Sequence, residues 1–273
     1  MDTRPIGVFD SGLGGLTTVR ELRRIMPSEN IVYFGDTGRV PYGTRSREII
    51  RKYAGQDIRF LLSKDVKMVV VACNTATAAL AGEPVSLSVP MVEAIAPAVR
   101  AAARATRNKR ISVIGTSATV RSGAYERAFH ALDPEFSVFT SACPLFVPLV
   151  ENGFTGRDNP VTRLVAEQYL EPVRAHGADT LILGCTHYPI LRELIADLMG
   201  PEVALIDSGA EAARAARMTL EREGMENHSG QPGFCRCYVS DSAECFEHSA
   251  LPILGEADGL PAATAEQIDI ESY

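Results

Sequence analysis

Short apolar runs without alternation recur along the chain, each followed by a small or polar turn and then by a stretch with helical spacing. Ile6–Phe9, Ile31–Phe34, Met68–Val71 and Val89–Glu93 are such runs. Leu16–Met26, Ser46–Ser63, Ala76–Leu80 and the segment through Arg104 read as the helices between and after them. Strands with no polar face suit a parallel sheet covered on both sides. The pattern restarts at Arg110, with strands at Ile111–Ile114, Ser137–Thr140, Thr180–Leu183 and Val203–Ile206. Helices are expected from about Val120 to Leu132, from about Val161 to Val173 and from about Pro189. After Asp207 a helix to about Glu223, a polar Gly/Pro loop, a strand near Cys237–Val239 and a short helix complete the pattern. The expected class is α/β, with two parallel-sheet halves: 1–96 joined by the returning segment 208–255, and 97–207. Ile6 to Cys73 and Ile111 to Cys185 are nearly equal intervals, which points to an internal duplication. Residues 256–273 hold five acids and no Lys or Arg, and are expected to form a partly disordered tail.

Composition narrows the function. The 273 residues are 46% hydrophobic and 22% charged, ordinary for a globular protein long enough for two small domains or one large one. No stretch nears the roughly 18 apolar residues of a membrane span, so no membrane partner is expected. The start, Met-Asp-Thr-Arg-Pro, has no apolar leader, which predicts a cytoplasmic protein whose six cysteines are reduced rather than paired. A net charge of −7 without a basic run argues against nucleic acid as partner. Oligomeric state is not legible, and a homodimer stays open.

Two turns share one grammar. Ala72-Cys-Asn-Thr follows the run Met68–Val71, and Gly184-Cys-Thr-His follows Thr180–Leu183, so Cys73 and Cys185 both fall at a strand end ahead of a helix. Strand ends of open parallel sheets are where ligands bind. A cysteine just before a helix is also expected to feel the helix dipole, which favours thiolate. Two thiols at one cleft suit the inversion of a stereocentre beside a carboxylate, which needs one base to remove a proton from one face and a second group to return one to the other. Asp10, Glu151 and His187 are candidates to tune which thiol holds the proton.

The segments Phe9-Asp-Ser-Gly-Leu-Gly-Gly-Leu, Tyr33-Phe-Gly-Asp-Thr-Gly-Arg-Val-Pro-Tyr-Gly, Ala72-Cys-Asn-Thr-Ala-Thr-Ala, Glu151-Asn-Gly and Gly184-Cys-Thr-His-Tyr-Pro together resemble the glutamate racemases of the aspartate/glutamate racemase superfamily, from about Ile6 to Gly255. Gly38 stands where Ala is common there, and Thr17-Thr18 where a single Thr is usual. The resemblance implies two flavodoxin-like domains with the active site between them, and cofactor-independent, metal-free interconversion of L- and D-glutamate that feeds peptidoglycan synthesis. It also implies residue roles: Cys73 as the base toward D-glutamate, Cys185 toward L-glutamate, and Asp10, Glu151 and His187 as assisting acid/base groups. Asp10, Ser11, Tyr42, Gly43, Asn74, Thr75, Thr186 and His187 are the implied substrate contacts.

Other readings compete. Cys185 with His187 could form a hydrolase pair, although residues two apart on a turn seldom align base and nucleophile. A binding module with inert thiols is the alternative outside catalysis. Gly12-Leu-Gly-Gly with Asp36 resembles a dinucleotide fingerprint but lacks its third glycine, since position 17 is Thr. Cys235-Arg-Cys with Cys245 and His248 has a gap too short for the usual zinc spacing. Cys143, His130, His176 and His228 carry no motif.

Overall fold

The computed structural model describes residues 1–82, 86–254 and 265–273, with the side chains of 251, 252 and 254 set aside. In the first half, β1 (Ile6–Asp10), β2 (Ile31–Gly35), β3 (Met68–Val71) and β4 (Met91–Glu93) alternate with α1 (Leu16–Ile25), α2 (Arg47–Ser63), α3 (Asn74–Leu80) and α4 (Ile95–Ala105). The second half repeats this with β5 (Arg110–Gly115), β6 (Ser137–Ala142), β7 (Thr180–Gly184) and β8 (Ala204–Asp207). Its helices are α5 (Ser117–Arg121), α6 (Ala124–Leu132), α7 (Phe146–Glu151), α8 (Pro160–Ala175) and α9 (Arg192–Met199). Then α10 (Ser208–Glu223), β9 (Cys235–Val239), α11 (Ala243–Leu254) and β10 (Ala265–Gln267) follow.

The strands form two sheets, ordered β10-β9-β2-β1-β3-β4 and β6-β5-β7-β8, and every pairing is parallel. Both halves therefore share the order second-first-third-fourth strand, the doubly wound arrangement in which the chain reverses direction between its first and third strands. Ligands bind at the carboxyl ends there, which is where Asp10, Cys73, Gly115 and Cys185 fall.

The unalternated strands are explained by two-sided burial. Ile6 and Val8 pack on one face of β1 with Leu16, Val19 and Ala212, Ala213, Ala216 of α10, while Phe9 packs on the other with Ile50, Ile58 and Leu61 of α2. In β7, Leu181 and Leu183 join one cluster and Ile182 another. The packing of α10 and the pairing of β9 with β2 return the segment after β8 to the first sheet. We propose domain boundaries at 1–96 with 208–255, and 97–207, on this strand membership.

Two expectations are revised. The helix expected over Val120–Leu132 is two helices, divided at Gly123, whose φ of +62° is costly for any residue with a Cβ. Residues 146–151 form a further helix, α7, which carries Glu151 at its end. The returning helix α11 spans twelve residues and is not short. Within the acidic tail, 256–264 lie outside the described residues, but Ala265–Gln267 add a parallel strand beside β9 and Ile270–Ser272 form a 3₁₀ turn with Ile270 buried. Edge pairing and one apolar anchor outweigh the unfavourable charge there.

Candidate active site

Cys73 ends β3 and caps α3, its Sγ accepting from the Ala76 amide at 3.4 Å. All seven residues of α3 are buried, and its alanines and threonines are small enough for it to sit between the halves. Thr75 joins them, its hydroxyl 2.8 Å from that of Thr116 and 3.3 Å from that of Thr119. Cys185 ends β7, and His187 Nδ1 lies 3.9 Å from its Sγ. The other ring nitrogen, Nε2, lies 3.0 Å from Glu151 Oε1 at the end of α7.

The two turns meet across the domain boundary. The Thr17 hydroxyl donates to the Thr186 carbonyl at 3.1 Å, and the Thr186 hydroxyl donates to Asp10 Oδ1 at 3.2 Å. Gly14 permits this approach: a Cβ there would stand 2.3 Å from Thr186 Oγ1 and 2.4 Å from His187 Nδ1. Gly14→Ala is therefore expected to cost about 1–3 kcal/mol of stability, the usual penalty of overpacking, and to lower kcat/KM by pushing His187 from Cys185. Thermal unfolding and steady-state kinetics check this; parental values for both would mean the turns are not held together here.

Between the halves lies a cavity of about 340 Å³ lined by both thiols. Ser11, Tyr42, Gly43, Asn74, Thr75, Glu151, Thr186 and His187 line it with them. Asp10 does not line it. It is fully buried beneath, receiving the Gly12 amide at 3.1 Å and the Thr186 hydroxyl, which places it as a support of the Cys185 turn. The Tyr42 hydroxyl also points away, to Asp36 and to Asp57 at 3.0 Å. Asn74 is held on both sides, donating to Ser208 Oγ at 2.9 Å and accepting from the Tyr125 hydroxyl at 2.7 Å.

Several lining residues escaped the sequence reading. Thr116 and Ser117 stand just after β5 much as Asp10 and Ser11 stand at the end of β1, so the duplication was the signal that pointed to them. Thr44 and the apolar walls Val40, Pro41, Pro144, Val147 and Pro148 had none. A neighbouring cleft of about 360 Å³ carries Arg45, Arg47, Arg121 and Arg127, shares only Thr75 with the cavity and contains neither thiol nor carboxylate.

The electrostatics separate the two cysteines. Burial, helped by the Asp10 charge, pushes the Cys73 thiol up to about 12, outweighing the Ala76 amide and Ser11 hydroxyl that favour its thiolate. The expectation that the helix start would lower it is reversed, because desolvation dominates. For His187, burial opposes the charged ring, yet the bonds to Cys185 and Glu151 prevail and raise it to about 10. At neutral pH the second thiol thus faces an imidazolium, and the first keeps its proton. Asp10 is raised by burial, the His187 charge opposing.

The competing motifs are accounted for. Cys185 and His187 do meet, contrary to the expectation from their spacing, although Cys73 lines the same cavity. Asp36 is buried and receives Arg39 Nε at 2.7 Å and Ser240 Oγ at 2.7 Å, which commits the carboxylate a ribose would need. All six cysteines are free thiols, and among the described residues no group of three or more His, Cys, Asp and Glu side chains could hold a metal ion. Among the described residues, too, no helix is long and apolar enough to cross a membrane.

The sequence profile of the family described as Asp/Glu/Hydantoin racemase matches residues 17–216. The glutamate racemase of Geobacter metallireducens is 47% identical over 256 residues, covering 93% of this chain and 94% of its own. Among solved structures, a glutamate racemase isoform of Bacillus anthracis has a TM-score of 0.92 at 38% identity, covering 98% of both chains. The glutamate racemase of Francisella tularensis, solved in complex with D-glutamate, has a TM-score of 0.89 at 36% identity and covers 100% of both, so the likeness runs past Gly255, where the sequence motifs stop. Profile, relatives and the duplicated two-sheet fold with paired thiols agree, and the chain belongs to the Asp/Glu/Hydantoin racemase family, as an isomerase.

Proposed function

We propose that the cavity interconverts L- and D-glutamate by two-base proton transfer, without a cofactor. The observation that carries this is the pair of thiols at equivalent strand ends of the two halves, lining one cavity. The Cys185 thiolate removes the α-proton of L-glutamate, the electron pair passes toward the adjacent carboxylate, and the Cys73 thiol gives its proton to the opposite face. This leaves a Cys73 thiolate and a Cys185 thiol, the arrangement that starts the return from D-glutamate. The proton on His187, held by Glu151, lies where it can be exchanged with Cys185. Glutamate itself is suggested by the relatives and by the D-glutamate complex of the Francisella enzyme.

Among the described residues, no Lys or Arg lines this cavity. Arg39, the single arginine of the motifs, is spent on Asp36, Asp57 and Glu271. The substrate carboxylates are therefore expected to be held by the hydroxyls of Ser11, Thr75, Thr116 and Thr186 and by backbone amides of the turns. The Asn74 amide, already engaged by Ser208 and Tyr125, has one N–H left to give. A glutamate complex with a bidentate arginine on either carboxylate would contradict this. D-Glutamate made here would supply peptidoglycan synthesis, and we place that work in the cytoplasm.

Incubation with L-glutamate in deuterated water tests the reaction. Racemisation with deuterium at the α-carbon of the product is expected. A binding module leaves that hydrogen untouched, as does a cysteine hydrolase working through Cys185, which would instead be trapped as an acyl-enzyme of increased mass when given a glutamate ester, the alcohol leaving.

A further inference from the structure

Five consecutive residues, Val40–Thr44, line the cavity, yet they belong to a connection built only of 3₁₀ turns, Thr37–Arg39 and Tyr42–Thr44. Such a segment needs support from outside itself to hold one conformation. The support lies beneath it. Arg39, 11% exposed at its side chain, donates to Asp36 Oδ2 at 2.7 Å, Gln56 Oε1 at 2.6 Å, Asp57 Oδ1 at 3.1 Å and Glu271 Oε1 at 3.1 Å, and lies 4.1 Å from the centroid of the Tyr53 ring. The Tyr42 hydroxyl touches both Asp36 and Asp57. A phenol has one hydrogen to donate. Asp36 and Asp57 share it, and burial together with the Asp36 charge raises Asp57.

The far end of this network is the last turn of the described chain. Gln56 Nε2 donates to Glu271 Oε2 at 3.3 Å and to the Ile270 carbonyl at 3.5 Å. Glu271 is half exposed, so its ion pair contributes little alone. The turn is seated by apolar and backbone contacts: Ile270 is buried, the Tyr273 ring meets Phe60 edge-on at 5.2 Å, and Arg59 donates to the Tyr273 carbonyl.

We infer that the turn Ile270–Ser272 is a positioning element of the active site, holding Arg39 through Glu271 and Gln56, and through Arg39 the cavity-lining residues Val40–Thr44. This rests on the cavity being the glutamate site. Arg39, Gln56 and Glu271 are positioning residues, since none of the three lines the cavity.

The test is the variant Gln56→Met with Glu271→Ala in the full chain, which cuts the turn from Arg39 while leaving Asp36 and Asp57 with their cation. Hydrogen exchange at residues 38–44 is expected to quicken about tenfold. KM for glutamate is expected to rise about three- to tenfold with kcat within about twofold, the mark of lost positioning in binding rather than lost chemistry. Parental exchange overturns the proposal, and so does faster exchange with a parental KM. Should the double variant not fold, Gln56→Met alone, which leaves only the weak Arg39–Glu271 pair, makes the same comparison. If the unsubstituted protein turns over no glutamate, the functional reading fails by itself, and the exchange rates still decide whether the turn holds the loop.

Discussion

Cys73→Ala and Cys185→Ala are each expected to abolish racemisation in both directions, by a factor on the order of 10²–10⁴, the range attributed to a positioned acid or base. Inversion needs a proton acceptor on one face of the α-carbon and a donor on the other, and the two thiols follow strands of different sheets and line one cavity. Removing one leaves the other able to take a proton, exchange it with solvent and return it to the same face. Cys73→Ala should therefore still wash the α-hydrogen of L-glutamate into deuterated water slowly, and Cys185→Ala that of D-glutamate. Mass spectrometry of each enantiomer reads this directly, with circular dichroism to confirm folding. Retention of near-parental racemisation by either variant would show that another base serves that face.

The second large effect is in pH. kcat/KM should rise as one thiol ionises and fall again as the site loses the proton it must deliver, and the limbs belong to the coupled site rather than to one residue. His187 keeps its proton to about 10 and Cys73 to about 12, so the alkaline limb is expected to open near pH 10 and to steepen toward a tenfold loss per unit beyond it. The sign follows from proton ownership: the acid that donates to the opposite face must be protonated, so raising pH through its pKa removes activity. Glu151→Gln takes away one of the two groups that raise His187, which should bring the alkaline limb down by up to about one unit. A profile still flat at about pH 12, where the Cys73 thiol itself gives up its proton, would exclude the thiolate and thiol pair.

The alternation of strand and helix, the two-fold repeat and the two cysteine turns are local features, which is why sequence alone sufficed for them. A strand buried on both faces cannot show a polar period, and Met68–Val71 and Thr180–Leu183 announced themselves by lacking one. The thiols fell at strand ends because the turns after parallel strands are short. What sequence could not carry was anything set by long-range approach. The necessity of Gly14 depends on the turn at Thr186 and His187 arriving from the other half, and no local pattern records that. The helix dipole at Cys73 is local and argued for a lowered thiol, whereas its burial and the nearby Asp10 are tertiary and raised it. Asp10 lies beneath the cavity and Tyr42 lines it, yet packing turned the carboxylate of the one and the hydroxyl of the other to structural partners. The acidic composition of the tail predicted partial disorder; its last nine residues are held by pairing with β9 and by the seating of Ile270 against α2, contacts that composition does not record. Local chemistry thus determined which groups the protein presents. Their desolvation and their partners, which fix protonation, came only with the fold, because both are summed over neighbours that are distant in the chain.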